Sequence, residues 1–236
     1  MATTRAIFRK ELKSYFSSPV GYIYLVVFIV LVNWIFLRGF FLIGQASFRG
    51  LFTMLPWVFL LFIPAVTMRL WAEERKLGTD ELLMTLPIAN VQAVSAKFLA
   101  SLAFVAISLA LTLVLPLSGF FIGRPDPGPI ICGYIGSLLV GGAYLSIGMF
   151  ASNLTDNQVA AFVMGVLICF ALFIIGENLV IMTLPATAAG LFRFLGLGAH
   201  FRSIARGVID TRDLVYYFSV TVFFLFLNVR ALETRR

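Results

Sequence analysis

The chain is built from long apolar runs separated by short polar joints. The runs lie at about 20–43, 51–70, 98–122, 130–151, 157–180 and 213–229, and charged residues or prolines bound most of them. A transmembrane helix needs about 20 mostly apolar residues, whereas a transmembrane strand shows about 9–11 that alternate. These runs are continuous. Backbone groups in lipid must also be satisfied inside a helix or a closed barrel. The pattern therefore predicts an all-α, polytopic membrane protein with six transmembrane helices, forming one transmembrane domain over residues 1–236.

Ahead of the first run, residues 1–19 read as a different kind of helix. Ile7, Phe8, Leu12, Tyr15 and Phe16 recur at helical spacing, with Arg9, Lys10 and Lys13 on the other side. A basic amphipathic helix of this kind lies in the membrane interface, and Pro19 ends it by disfavouring helical geometry at Ser18. It anchors the chain electrostatically, with contact to a cytosolic partner as the functional alternative. The apolar run that follows is longer than a signal-peptide core and no A-x-A site follows it, so the first span is expected to be retained.

The one long polar interruption of the first half is Trp71–Lys97, WAEERKLGTDELLMTLPIANVQAVSAK. It carries Glu73, Glu74, Arg75, Lys76, Asp80, Glu81 and Lys97. Trp71 to Thr85 can form a helix with Leu77, Leu82, Leu83 and Leu86 on one side and Glu73, Lys76 and Asp80 on another. Gly78 interrupts that helix, Pro87 closes it, and Asn90 is placed to cap the next. A charged segment held between two spans is suited to receive force from a partner outside the membrane. The plain alternative is a solvated connector.

Several residues within the spans carry further expectations. Pro56 and Pro64 predict a kinked second span or a broken first turn. Gly133, Ser137 and Gly141, with Gly148 and Ser152, place small residues on one face of the fourth span. Such a face lets backbones approach, either within the subunit or in a dimer. Asp156 is placed to cap the fifth span. Glu177, near the outer end of that span, is either a paired intramembrane charge or an interfacial residue. Residues 182–212 hold two apolar pieces, 191–194 and 201–208, too short to span and too apolar for a free loop, which predicts short external re-entrant or interfacial helices.

Charge sets the orientation. Six spans put both termini on one side; eleven Lys and Arg fall on that side and seven on the other, which favours N-in and C-in. The bias is held down by four arginines in the last external segment, Arg193, Arg202, Arg206 and Arg212. The net charge of +7 fits headgroups and cytoplasmic loops better than nucleic acid, because no basic run interleaved with aromatics lies outside the spans. With 61% hydrophobic and 12% charged residues, the chain has no room for a separate aqueous domain.

Catalytic signatures are missing. There is no G-x-x-x-x-G-K-[ST], H-E-x-x-H or G-x-S-x-G, and His200 is the only histidine. Cys132 and Cys169 lie inside apolar runs without ligand spacing and read as small buried hydrophobes. No catalytic, metal or cofactor-binding residue is assigned.

The motifs F-R-K-E-L-K at Phe8–Lys13, S-Y-F-S-S-P at Ser14–Pro19, T-M-R-L-W-A-E-E-R-K-L-G-T-D-E-L-L-M-T-L-P at Thr67–Pro87 and A-K-F-L-A at Ala96–Ala100 together resemble the permease subunits of ABC-2-type ABC transporters. They are most similar to the gliding-motility-associated subgroup. The resemblance covers nearly the whole chain. It implies that residues 71–97 are a cytoplasmic coupling segment docking on a separate ATPase subunit, with Glu73, Glu74, Arg75, Gly78, Thr79, Asp80, Glu81 and Leu82 as its contacts. It further implies a bacterial cytoplasmic-membrane location, a second copy of the chain, ATP and Mg held by the ATPase, and a membrane-anchored extracytoplasmic auxiliary protein. Export of a lipid-like or amphipathic substrate follows as the expected function. The alternative is an anchor that relays ATPase motion to an extracytoplasmic partner without transporting anything.

Overall fold

The computed structural model describes residues 2–43, 48–78, 89–122, 126–183 and 185–234, and within them every regular element is a helix. In chain order these are α1 (Ala2–Ser17), α2 (Pro19–Ile43), α3 (Arg49–Thr67), α4 (Ala72–Lys76), α5 (Asn90–Leu111), α6 (Val114–Ile122) and α7 (Pro127–Leu154). Then follow α8 (Gln158–Ile174), α9 (Asn178–Ile181), α10 (Ala186–Leu195), α11 (Leu197–Ala205) and α12 (Thr211–Glu233).

Five segments are long and apolar enough to cross a membrane: Pro19–Arg38, Arg49–Lys76, Asn90–Phe120, Pro127–Leu154 and Thr211–Glu233. The run expected at 157–180 is only partly helical. Its helix α8 has 17 residues, so length and composition support five spans where six were expected. A close backbone contact lies just beyond its end. Gly176 packs so closely on Gly196 that a Cβ there would sit 2.6 Å from the Gly196 Cα. The chain leaves helical geometry near Ile175, and Glu177 is the capping position of the short α9. Beyond it, the two apolar pieces of the 182–212 segment fall in α10 and α11.

Other boundaries moved for identifiable reasons. The helix that carries the third span begins at Asn90, with Ala89 as the capping position and Asn90 already helical, one residue before the start that an Asn90 cap predicts. It then breaks at Thr112–Leu113. Pro116 accounts for the break, since a proline lacks the N–H and crowds the carbonyl four residues earlier, here that of Thr112. The Thr112 hydroxyl is drawn aside as well, donating to Leu109 O at 2.7 Å and lying 3.0 Å from the Tyr134 hydroxyl. Pro56 and Pro64, by contrast, sit inside an uninterrupted α3. The cap of α8 is Asn157 rather than Asp156, and its side chain accepts from the amides of Val159 and Ala160.

The bundle is assembled around α7, which packs against α3, α5, α8, α11 and α12. Small residues make that possible. Gly133 lies under the Phe52 ring and Gly148 under the Thr67 hydroxyl, too close to admit a Cβ, while a Cβ at Gly141 would sit 3.4 Å from Val105. Ser137 is buried and returns its hydroxyl to Gly133 O at 2.7 Å. The small-residue face of α7 is thus occupied within the chain. The first helix is amphipathic, with Ile7 buried, Phe8 and Leu12 half-buried, and Arg9, Lys10 and Lys13 exposed. Its apolar side lies along α5, where Tyr15 stacks on Phe104 at 4.6 Å and meets the Ser101 hydroxyl at 3.0 Å. Burial pushes the Tyr15 phenol up, and the Ser101 hydrogen bond partly offsets this.

Overpacking a close helix contact costs about 1–3 kcal/mol. Gly148→Val should lower the melting temperature in detergent accordingly, and adding Thr67→Ala should restore part of the loss. Gly190→Ala, where a Cβ would meet nothing within 4 Å, should leave melting unchanged.

Candidate functional site

At the end of the bundle where α3 stops, the chain turns through Met68–Trp71 into α4, and α1 and α5 converge on it there. Their meeting point is Lys97 on α5, whose side chain is 1% exposed. An ammonium group has three N–H donors and no acceptor. All three are engaged: Glu74 Oε1 of α4 at 2.7 Å, Leu70 O beyond α3 at 2.9 Å, and Glu11 Oε1 of α1 at 3.3 Å. The Lys97 Nζ also lies 4.8 Å from the Trp71 ring centroid. An unpaired buried charge is prohibitive, so this lysine fixes α1, α4 and the end of α3 relative to α5.

A second clamp comes from α7. The first amides of α4 have no capping side chain of their own. Ser152 supplies the acceptor instead, taking the Trp71 and Ala72 N–H groups at 3.1 Å each while donating to Met68 O at 2.9 Å. One hydroxyl thereby satisfies the end of α3 and the start of α4 together. Next to it, Asn153 Oδ1 accepts from Arg75 Nη2 at 2.9 Å, and Asn153 Nδ2 donates to the backbone and side-chain oxygens of Asn228 on α12 at 3.0 and 2.9 Å. Arg69 grips Glu73 with two bonds, 2.6 and 3.1 Å.

The acidic and basic residues of the predicted coupling segment therefore divide. Glu73, Glu74 and Arg75 make contacts inside the chain. Lys76, Leu77 and Gly78 face outward, with Leu77 68% exposed. Gly78 has φ 67°, the left-handed turn at which a helix ends most cheaply on glycine, and a Cβ there would meet no described atom within 4 Å. Thr79, Asp80, Glu81 and Leu82 lie outside the described residues.

Sequence reasoning left Lys97 among the loop charges and passed over Glu11, Asn153 and Asn228. A signal was available: Lys97 is embedded in AVSAKFLA, and Asn153 and Asn228 are polar side chains at the ends of apolar runs. A polar residue in such a setting needs a partner.

The opposite end of α3, near Arg49, is also polar. Glu177 is paired with Arg202 at 2.6 Å, and Arg202 also donates to Gly176 O at 3.0 Å. His200 stacks on Tyr216 at 4.0 Å, with Nδ1 2.7 Å from Asp213 Oδ1 and Nε2 3.0 Å from Phe194 O. Both are acceptors, so both ring nitrogens donate only when the imidazole carries two protons. Ser203 donates to the second oxygen of Asp213. The hydroxyl faces the carboxylate rather than the imidazole, so the group is not arranged as a nucleophilic triad. These residues border a cavity of about 1790 Å³. Among the described residues, no cluster of His, Cys, Asp or Glu has the form of a metal site.

A family model described as ABC-2 family transporter protein matches residues 20–229, from the start of α2 almost to the end of α12. No curated protein matches the chain.

Removing one partner of a buried ion pair costs about 3–5 kcal/mol because the other charge is stranded. Lys97→Met should cost about 3 kcal/mol in a detergent unfolding assay, since Glu11 and Glu74 retain some solvent contact. It should also speed trypsin cleavage within residues 71–97. Adding Glu74→Gln should recover part of the stability.

Proposed function

The chain belongs to the ABC-2 transporter family, and on that premise we propose that it is the transmembrane permease of an ABC transporter, driven through residues 71–97 by a separately encoded ATPase. The observation that carries this reading is the mounting of α4. It is clamped to α3, α5 and α7 by Lys97 and Ser152, while Lys76, Leu77 and Gly78 are presented outward. A push on that surface reaches three long helices through short, charge-assisted contacts rather than through a slack loop.

In this reading α8 is a sixth, short span, and both termini lie on the cytoplasmic side of a bacterial cytoplasmic membrane. The first helix lies in the interface against lipid, and α10 and α11 re-enter from the far side. Two copies assemble with two ATPases, which hold ATP and Mg, and closure of the ATPase dimer tilts α3 and α5 through α4. The partner contacts fall to Lys76, Leu77, Gly78, Thr79, Asp80, Glu81 and Leu82, while Glu73, Glu74 and Arg75 hold the segment in place. The N-terminal and coupling motifs favour the gliding-motility-associated subgroup and its extracytoplasmic auxiliary protein. The substrate is a lipid-like amphipath moved outward.

The test substitutes only exposed positions. Lys76→Glu with Leu77→Asp should leave detergent melting unchanged. The amount of P-loop ATPase co-purifying from native membranes should fall at least about tenfold, a loss of about 1.4 kcal/mol in affinity. Full recovery of that ATPase with the double variant, and undiminished ATP hydrolysis in the eluate, would discard the coupling role. Recovery of no ATPase with the unsubstituted chain would discard the permease reading itself.

A further inference from the structure

The cavity near Arg49 has a composition that the coupling machinery does not use. Its rim is cationic. Arg49 comes from α3, Arg193 from α10, Arg206 from the end of α11 and Arg212 from α12; all four are exposed, and none forms an ion pair among the described residues. The carboxylates nearby are committed elsewhere. Glu177 is held by Arg202, Asp213 by His200 and Ser203, and Asp210 caps α12 through the Arg212 amide at 2.9 Å. Five arginines and three carboxylates line the opening, so it carries a net positive charge, and the four exposed arginines come from four elements.

Below the rim the wall turns apolar. On α12, Val215, Tyr216, Val220 and Phe223 recur at helical spacing along the cavity, and Trp57 of α3 lines it as well. From Arg212 to Phe223 the helix advances about 16 Å at about 1.5 Å per residue. Trp57 is 42% exposed and Phe223 55%, so the trough is open along its length. The volume of about 1790 Å³ exceeds the roughly 300–1,000 Å³ of ordinary small-ligand pockets. A cationic mouth over an open apolar trough is complementary to an anionic headgroup carrying an acyl chain, and guanidinium forks match phosphate in two-point geometry.

We propose that this cavity is a binding site for an anionic membrane phospholipid, its phosphate at Arg193, Arg206 and Arg212 and one acyl chain along Trp57 and Phe223. The inference deepens the permease reading and rests on it for the membrane setting. It identifies an acidic phospholipid as the substrate class, entering sideways from the bilayer at the end remote from α4. Arg193, Arg206 and Arg212 are also among the arginines that hold down the charge asymmetry used for orientation, a cost that a ligand site explains.

Trp57 supplies the readout. With Trp34→Phe removing the other exposed tryptophan and Trp71 buried, fluorescence of the full chain reports the trough. The protein is reconstituted in phosphatidylcholine vesicles containing an equal fraction of acyl-brominated phosphatidylglycerol or acyl-brominated phosphatidylcholine. Quenching should be at least about threefold stronger with the anionic lipid. Arg193→Gln, Arg206→Gln and Arg212→Gln together should bring the two lipids level. Equal quenching in the arginine-containing protein overturns the proposal and leaves the rim to an acidic protein or a second copy. A phosphatidylglycerol excess that survives the triple substitution overturns it as well. ATPase co-purification, measured on the same preparations, separates the two readings. Selective quenching without ATPase keeps the lipid site and removes the permease, whereas ATPase without selective quenching does the reverse.

Discussion

One buried ammonium group sets the geometry of the end of the bundle where α3 gives way to α4. Lys97 enters the bundle on α5 and must find three acceptors away from water; it takes them from α1, from the chain just beyond α3 and from α4. Those elements cannot shift independently without stranding a charge. The cost of isolating an ion in a poorly solvated interior is far larger than that of bending a solvated loop. α4 is only five residues long and has no intrinsic helical stability to speak of. Its position is therefore a property of its clamps, Lys97 and Ser152.

The other structural constraint is close approach at α7. Glycines at 133 and 148 admit a phenyl ring and a threonine hydroxyl where any side chain would collide. Without a hydrophobic force between helices in lipid, such contact and internal hydrogen bonds hold a bundle together. Ser137 and Ser146 turn their hydroxyls onto their own helix, to Gly133 O and Ala143 O, and so leave no unpaired polar group on the packed face.

Much of this was legible in the sequence, and the exceptions have physical causes. Apolar run length identified the helical class and most spans, because lipid forces that pattern directly. The small-residue spacing on α7 was visible too, but periodicity does not say which neighbour fills the face; the Phe52 and Thr67 contacts do. Pro116 and the Gly176–Gly196 contact show the limits. A proline was read as a kink at positions 56 and 64, where α3 absorbs it, and passed over at 116, where the helix breaks. The fifth run reads as a 24-residue span, 157–180, yet its helix ends at Ile174, just before the close contact between Gly176 and Gly196. Lys97 was counted as a loop charge because hydropathy assigns a lysine to water. Its partners lie 86, 27 and 23 residues away, beyond the reach of local pattern.

The shortness of α8 has a consequence for the surrounding bilayer. Seventeen residues rise about 25 Å, short of the about 30 Å hydrocarbon thickness. As a span, α8 creates negative hydrophobic mismatch, and lipid next to a short helix is drawn thinner. Its far end, at Leu172 and Phe173, borders the arginine-rimmed cavity. In the six-span reading the membrane thins on the flank where that cavity opens, and a headgroup there has less hydrocarbon to cross.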